Sequence, residues 1–160
     1  MTGHRDIAEE HRDAVCVALR REITRAVAEG YTRFLSGFAR GVDLYFAEIV
    51  AEIKGENPGL RLELEAVLPY RDRLLSREPA FRRLIGLCDR VTVQSERYEP
   101  TCFFQRDRAL VEAASLVIAV YDGRPTGGTR YTLRCARNLG REVRQVRPPD
   151  PRGEQIQMLL

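Results

Sequence analysis

The stretch SLVIAVY, residues 115–121, decides the fold of this 160-residue chain. After its first residue it is apolar on both faces, which is typical of a central strand in a parallel sheet that helices cover on both sides. Residues 103–114 before it and residues 129–139 after it are predicted to be helices. The pattern therefore predicts a buried strand between two helices.

The same alternation extends outward along the chain. Further helices are predicted over 9–29, 42–54 and 79–87, and further strands over 31–35, 60–68, 90–94 and 143–146. Strands that alternate with helices pair in parallel through right-handed crossovers. We therefore predict an α/β fold, a three-layer Rossmann-like sandwich with a mainly parallel sheet. No strand is visible before the turn-like start Thr2-Gly3-His4-Arg5, so the first strand is predicted to be missing or truncated.

Length and composition describe one globular domain. The chain is 44% hydrophobic and 31% charged, which excludes disordered and fibrous classes. One domain is predicted over residues 1–148, with 149–160 as a peripheral tail. The longest apolar run, residues 116–121, is far short of a membrane span, and the polar first twelve residues do not resemble a signal peptide. We expect a cytoplasmic protein without a membrane partner.

The net charge and the cysteine spacing argue against two classes of ligand, nucleic acids and metal ions. A net charge of +3 lacks the strong field of dedicated nucleic-acid binders. Binding of single-stranded nucleic acid through Arg5, Arg40 and Arg106 is a weaker alternative. Its affinity would fall steeply as the salt concentration rises. The four cysteines show no zinc-ligand spacing, so no metal site is predicted. His4, near the chain start, is predicted to be solvated and without a catalytic role.

Two glycine-rich loops follow predicted strands and lead into helices. They are SGFARGVD, residues 36–43, and RPTGGT, residues 124–129. Ligands of open parallel sheets bind at the carboxyl ends of the strands, where glycines admit a phosphate and helix amides point at it. We expect both loops, on neighbouring strand ends, to form one phosphate or nucleotide cradle. The alternative is that the glycines serve tight turns, with Asp43 and Thr129 as helix caps.

Several side chains near these loops are candidates for a role in the site. The hydroxyls of Ser36 and Thr129 and the guanidinium of Arg40 would add hydrogen bonds to an anion, and Arg106 is a weaker candidate. Asp122, at the end of the central strand, would accept ribose hydroxyls or hold a water, or serve only an Asp-Gly turn. Tyr98 and Tyr131 would stack on a base or belong to the core.

The motifs TGHR, SGFARGVDLYFAE, CFFQRDRALVEAASLVIAVYDG and GGTRYTLRCA together resemble the YpsA-like proteins of the SLOG superfamily, relatives of DprA and the LOG enzymes. The resemblance covers nearly the whole chain and implies a Rossmann-like sheet that binds a nucleotide or nucleotide derivative. It implies this role for the residues that match the motifs: Gly3, Arg5, Ser36, Gly37, Arg40, Gly41, Asp43, Gly127, Gly128 and Thr129.

The resemblance carries no catalytic assignment. LOG enzymes have a glutamate shortly after their glycine-threonine turn, whereas residues 130–132 of this chain are Arg-Tyr-Thr. The leading prediction is a nucleotide-binding or sensor protein that reports its ligand to a protein partner or to a second copy. The alternative is a nucleotide-processing hydrolase that cleaves an N-glycosidic or phosphate bond, with Asp122 or Asp43 positioning water. No cofactor is identified beyond a nucleotide-type ligand.

Overall fold

The computed structural model describes residues 1–149, in which strands alternate with helices. The strands are β1 (Thr2–Gly3), β2 (Arg33–Ser36), β3 (Glu63–Leu68), β4 (Arg90–Val93), β5 (Leu116–Val120) and β6 (Glu142–Val146). The helices are α1 (Glu9–Ala28), α2 (Val42–Glu56), α3 (Pro79–Ile85), α4 (Cys102–Ala113) and α5 (Gly128–Asn138). A short 3₁₀ helix over Arg71–Leu75 lies in the connection between β3 and α3, which the sequence pattern leaves irregular.

The strands form two three-stranded sheets, β1-β5-β6 and β2-β3-β4, and every strand pair within them is parallel. The backbone nitrogen of Met1 donates to the carbonyl of Leu35 at 3.2 Å, which sets β1 beside β2. The strands therefore run in the order β4-β3-β2-β1-β5-β6, and the direction of winding reverses between β1 and β5. This confirms the predicted Rossmann-like α/β sandwich and locates its topological switch point.

The first strand is present and very short. Thr2 pairs with Ala119 and Gly3 with Val120, so the two residues extend the sheet beside the central strand β5. A Cβ on Gly3 would lie 2.4 Å from Cγ1 of Val42, because β1 packs closely against α2. A strand of two residues shows no hydrophobic periodicity, so the sequence pattern did not predict it.

The core forms where the helices cover both faces of the sheet. Helix α1 buries Val15, Leu19 and Ile23, which lie four residues apart and so share one face. In β3 every residue after Glu63 is buried, as expected of an inner strand. Within residues 1–149, no helix has the length and apolar character that crossing a bilayer would require. The predicted tail, apart from Pro149, lies outside the described residues.

Candidate functional site

A cleft of about 410 Å³ opens at the switch point, above the carboxyl ends of β1 and β5. Four segments that are distant in sequence form its walls: the end of β1, the β2–α2 loop, one face of α4 and the start of α5. The residues that line it include His4, Arg5, Asp43, Phe103, Arg106, Asp107, Gly127, Gly128 and Thr129. We call this the first lobe.

A second lobe of about 460 Å³ adjoins the first and shares Arg5, Phe103 and Arg106 with it. Gly37 and Arg40 line it on the side of the β2–α2 loop. The guanidinium carbon of Arg5 lies 5.4 Å from the ring centre of Phe103, in a cation–π contact between the two lobes. The two lobes adjoin along this wall, which carries the cations of Arg5 and Arg106 and the carboxylate of Asp6.

The SGFARGVD loop uses its polar groups internally. The Ser36 hydroxyl donates to the carbonyl of Asp43 at 2.8 Å and accepts the N–H of Phe38 at 3.3 Å. The carboxylate of Asp43 accepts the N–H of Ala39 at 3.2 Å. Ser36 is fully buried, so its hydroxyl organises the loop and does not face the cleft.

The glycines of this loop allow other parts of the protein to approach. A Cβ on Gly37 would lie 2.1 Å from Nη1 of Arg106. Gly41 has φ +83°, and a Cβ there would lie 2.8 Å from the carbonyl oxygen of Arg5. Both positions need glycine for close packing within the protein, so the loop is filled by the chain's own atoms and is not an open phosphate cradle.

A buried charge cluster lies beneath the cleft, with Arg106 at its centre. Its Nη1 donates to the carbonyl of Gly37 at 2.6 Å and lies 3.7 Å from Oδ2 of Asp43, and its Nε lies 2.7 Å from Oδ1 of Asp107. Burial raises the pKa of both carboxyl groups, and the charge of Arg106 opposes that rise. Arg106 thus joins the β2–α2 loop to α4 and forms part of the cleft floor.

The RPTGGT loop, in contrast, is open. Gly127 has φ +103°, and among residues 1–149 no atom beyond its chain neighbours lies within 4 Å of the position of a Cβ. At Gly128 the nearest such atom is Oδ2 of Asp107, at 3.4 Å. These glycines begin α5, so the free amides of its first turn are at the cleft. Thr129 lies in the same turn and is buried.

The expectation that the two loops follow neighbouring strands is wrong, because β1 lies between β2 and β5. Both loops nevertheless border the first lobe, one through Asp43 and the other through residues 127–129. What separates them is the end of β1 together with the Arg106 side chain. The site is therefore one cleft with walls of different character, and not a symmetric pair of cradles.

His4 is buried, with 6% of its surface exposed, so the expectation that it is solvated is wrong. Its Nε2 lies 3.0 Å from Oδ1 of Asp122 and 3.3 Å from the backbone nitrogen of the same residue. Arg124 bonds both Asp122 and Asp6. The hydrogen bonds from Arg124 lower the pKa of Asp122 to about 2, and burial lowers the pKa of His4. This network holds an ionised aspartate against a neutral imidazole.

The predicted site residues divide into three groups. The first lobe contains Gly3, Arg5, Asp43, Arg106, Gly127, Gly128 and Thr129, and the second lobe adds Gly37 and Arg40. Ser36 and Gly41 pack behind the walls, and Asp122 borders an adjoining depression that shares Asp6 and Arg124 with the first lobe. The ring of Tyr131 packs on Phe104 at 4.8 Å, and Tyr98 packs against Tyr70 and Phe103.

Sequence reasoning missed His4, Phe103, Asp107 and Arg124. For Asp107 a signal was available, because residues 103, 106, 107 and 110 share one face of α4. On that face an Arg-Asp pair occupies positions that a simple core helix would fill with apolar residues. No local signal marks His4, since its burial depends on contacts with the residues after β5, more than a hundred positions away.

A parallel sheet with this strand order and a cleft at its switch point defines a Rossmann-like α/β protein. The family model YpsA, described as the YspA SLOG family, matches residues 6–146. The chain belongs to this family, which confirms the resemblance of the motifs.

UPF0398 proteins of two Bacillus species are among the proteins with similar sequences. UPF0398 proteins of Bacillus thuringiensis (strain Al Hakam) and Bacillus cereus (strain AH187) are each 27% identical over 143 residues, covering 82% of this chain and 74% of the relative. Among solved structures, (E)-4-hydroxy-3-methyl-but-2-enyl diphosphate reductase matches 83% of this chain and 52% of its own at 16% identity. Its TM-score is 0.23, so this likeness carries no argument about function.

Proposed function

We propose that the two-lobed cleft binds a phosphate-bearing nucleotide or nucleotide derivative and that the protein acts as a binding or sensor module that reports this ligand to a partner. The observation that carries the proposal is the position of Arg5 and Arg40. Neither guanidinium has a carboxylate partner within residues 1–149, and both line the second lobe. Unpaired arginines on a cleft wall are suited to bidentate phosphate recognition.

The charges favour one orientation of such a ligand. Asp107 lies beside the start of α5 and would repel a phosphate deep in the first lobe. Arg5 and Arg40 attract one toward the second lobe, where Arg73 adds a third cation. The lining also contains the carboxylates of Asp6 and Glu78, of which Asp6 is paired with Arg124 at 3.0 Å. The apolar rings of Phe103 and Phe104 line the first lobe and provide a surface for a base. In this proposal the nucleoside part occupies the first lobe, and the phosphate lies at the boundary with the second.

Calorimetry with a panel of mononucleotides, dinucleotides and ADP-ribose tests the proposal. Arg5→Ala and Arg40→Ala should each weaken binding of the panel member that binds most tightly by about tenfold, because each removes a charge-assisted hydrogen bond. Arg21→Ala is the matched control, since Arg21 is an exposed arginine on α1 outside the cleft. Silence across the panel, or equal affinity of the parent and both cleft variants, would contradict the proposal.

A second candidate, hydrolysis of a nucleotide, rests on the His4–Asp122 pair. The low pKa of Asp122 makes it a poor base, and Asp43 is occupied within its own loop. His4 lines the first lobe, is neutral and has an aspartate that orients it. In this candidate function the Nε2–H of His4 donates to Oδ1 of Asp122, which holds the ring, and Nδ1 takes a proton from the attacking water. The new bond from the water oxygen to the sugar carbon or phosphorus forms as the N-glycosidic or phosphate bond breaks, and His4 returns the proton to the departing group.

Chromatography after incubation with the same panel separates the two functions. A hydrolase would convert one member to its products, and His4→Gln would abolish the turnover while binding measured by calorimetry remained. A binding protein would leave every compound unchanged. Conversion that persists in His4→Gln would exclude His4 as the base.

A further inference from the structure

Asp107 is a buried carboxylate that faces the first lobe and is only partly supplied with donors. It is 7% exposed and lines the cleft. Its Oδ1 lies 2.7 Å from Nε of Arg106. The hydroxyl of Thr132 is a second hydrogen-bond partner of this carboxylate, although its single proton is shared with the carbonyl of Gly128, which lies 2.9 Å away. Apart from Arg106 and this shared hydroxyl, the described residues give Asp107 no further side-chain donor, so the carboxylate keeps acceptor capacity toward the cleft.

The count of charges in the buried cluster supports the same conclusion. Arg106 is the guanidinium shared by two carboxylates, and Asp43 also accepts the backbone N–H of Ala39. Asp107 has in addition only the shared hydroxyl of Thr132 among the described residues. Burial raises the pKa of Asp107, the charge of Asp43 raises it further, and Arg106 opposes both effects. A buried carboxylate in this position is stabilised when a ligand brings hydrogen-bond donors.

We propose that Asp107 accepts hydrogen bonds from the ribose hydroxyl groups of the ligand, so that the cleft selects ribose over 2-deoxyribose. The inference rests on the proposed function and adds the chemical class of the sugar. Hydroxyl groups are neutral donors, so they satisfy the carboxylate without the repulsion that a phosphate would meet. The 3.4 Å between Oδ2 and the Cβ position of Gly128 places this acceptor at the start of α5, on the cleft side.

The test uses ribose 5-phosphate and 2-deoxyribose 5-phosphate, which remove the base from the comparison. The parent protein should bind ribose 5-phosphate about tenfold to a hundredfold more tightly, as expected when a hydroxyl bonded to a charged group is lost. Asp107→Ala should bind the two sugar phosphates equally, and Asp107→Asn should show an intermediate preference. Asp107→Asn should also bind inorganic phosphate more tightly than the parent, because a negative charge beside α5 is gone.

Both variants are expected to fold, since Arg106 keeps its contacts with Asp43 and Gly37. Thermal unfolding checks this, and Glu112→Gln, an exposed acid on the same helix, is the matched control. Equal affinity of the parent for both sugars, a preference that survives in Asp107→Ala, or no binding of either sugar phosphate would overturn the inference. If the nucleotide panel still binds in those cases, the proposed function stands and only the role of Asp107 is lost.

Discussion

The two glycine-rich loops carry similar sequence signals and differ in what occupies them. The SGFARGVD loop is filled by the protein itself. The Ser36 hydroxyl bonds the carbonyl of Asp43, the Asp43 carboxylate accepts the N–H of Ala39, and Arg106 occupies the space beside Gly37. The RPTGGT loop is open, with free space around Gly127. Glycine next to a strand thus indicates close approach of another group, but not whether that group is a ligand or the protein itself.

The difference also explains why the site is asymmetric. The filled loop supplies a rigid wall that carries charge, whereas the open loop supplies amides at a helix start. At the open loop a ligand can approach the free amides of a helix start directly. At the filled loop it meets side chains, chiefly Arg40.

Removing the side chain that fills the first loop is expected to have the largest effect. Arg106→Ala leaves Asp43 and Asp107 buried without their shared cation, so the free energy of unfolding should fall by about 3–5 kcal/mol. Urea denaturation measures the loss. Arg108→Ala, two residues along α4, removes only an exposed pair with Glu112 and should leave stability nearly unchanged. Similar stability of the two variants would show that Arg106 is not a structural centre.

Alanine at one glycine of each loop compares filled with open space directly. Gly41→Ala and Gly127→Ala both place a side chain at positive φ, which costs about 1–3 kcal/mol in each case. Only Gly41→Ala also meets backbone atoms, which adds about 1–3 kcal/mol. The filled loop should therefore lose more stability in the same denaturation experiment. Equal losses would mean that the loops do not differ in packing.

The smallest expected effect concerns Asp122, which precedes the open loop. Its pKa is lowered from 3.8 to about 2, so its ionised form stabilises the fold above pH 4, and that contribution is lost as the pH falls toward 2. Because the side chain is partly exposed, Asp122→Asn should cost less than about 1 kcal/mol at pH 7. The difference between parent and variant should vanish near pH 2. A difference that grows on acidification would contradict this assignment.

Much of the architecture could be predicted because the hydrophobic periodicity of a long segment indicates which of its faces is buried. The five helices and the strands after β1 that the structure describes lie within a few residues of the predicted ranges. β1 escaped prediction because two residues have no period, and the 3₁₀ helix because none of its five residues is buried, so no apolar pattern marks it. Of the site, the glycine motifs and Arg5 could be found from the sequence. The burial of His4 and the position of Asp107 beside α5 depend on which strands are neighbours.

The sequence by itself determined the class of fold, the family and the stretches of chain from which the cleft is built, because hydrophobic period and glycine placement are local properties. Only the tertiary structure decided that β1 separates the two loops, that Arg106 fills one of them and that Asp107 faces the other. These outcomes follow from charge pairs and close contacts between residues far apart in the chain. Such contacts become favourable only when burial prevents the same groups from forming hydrogen bonds with water.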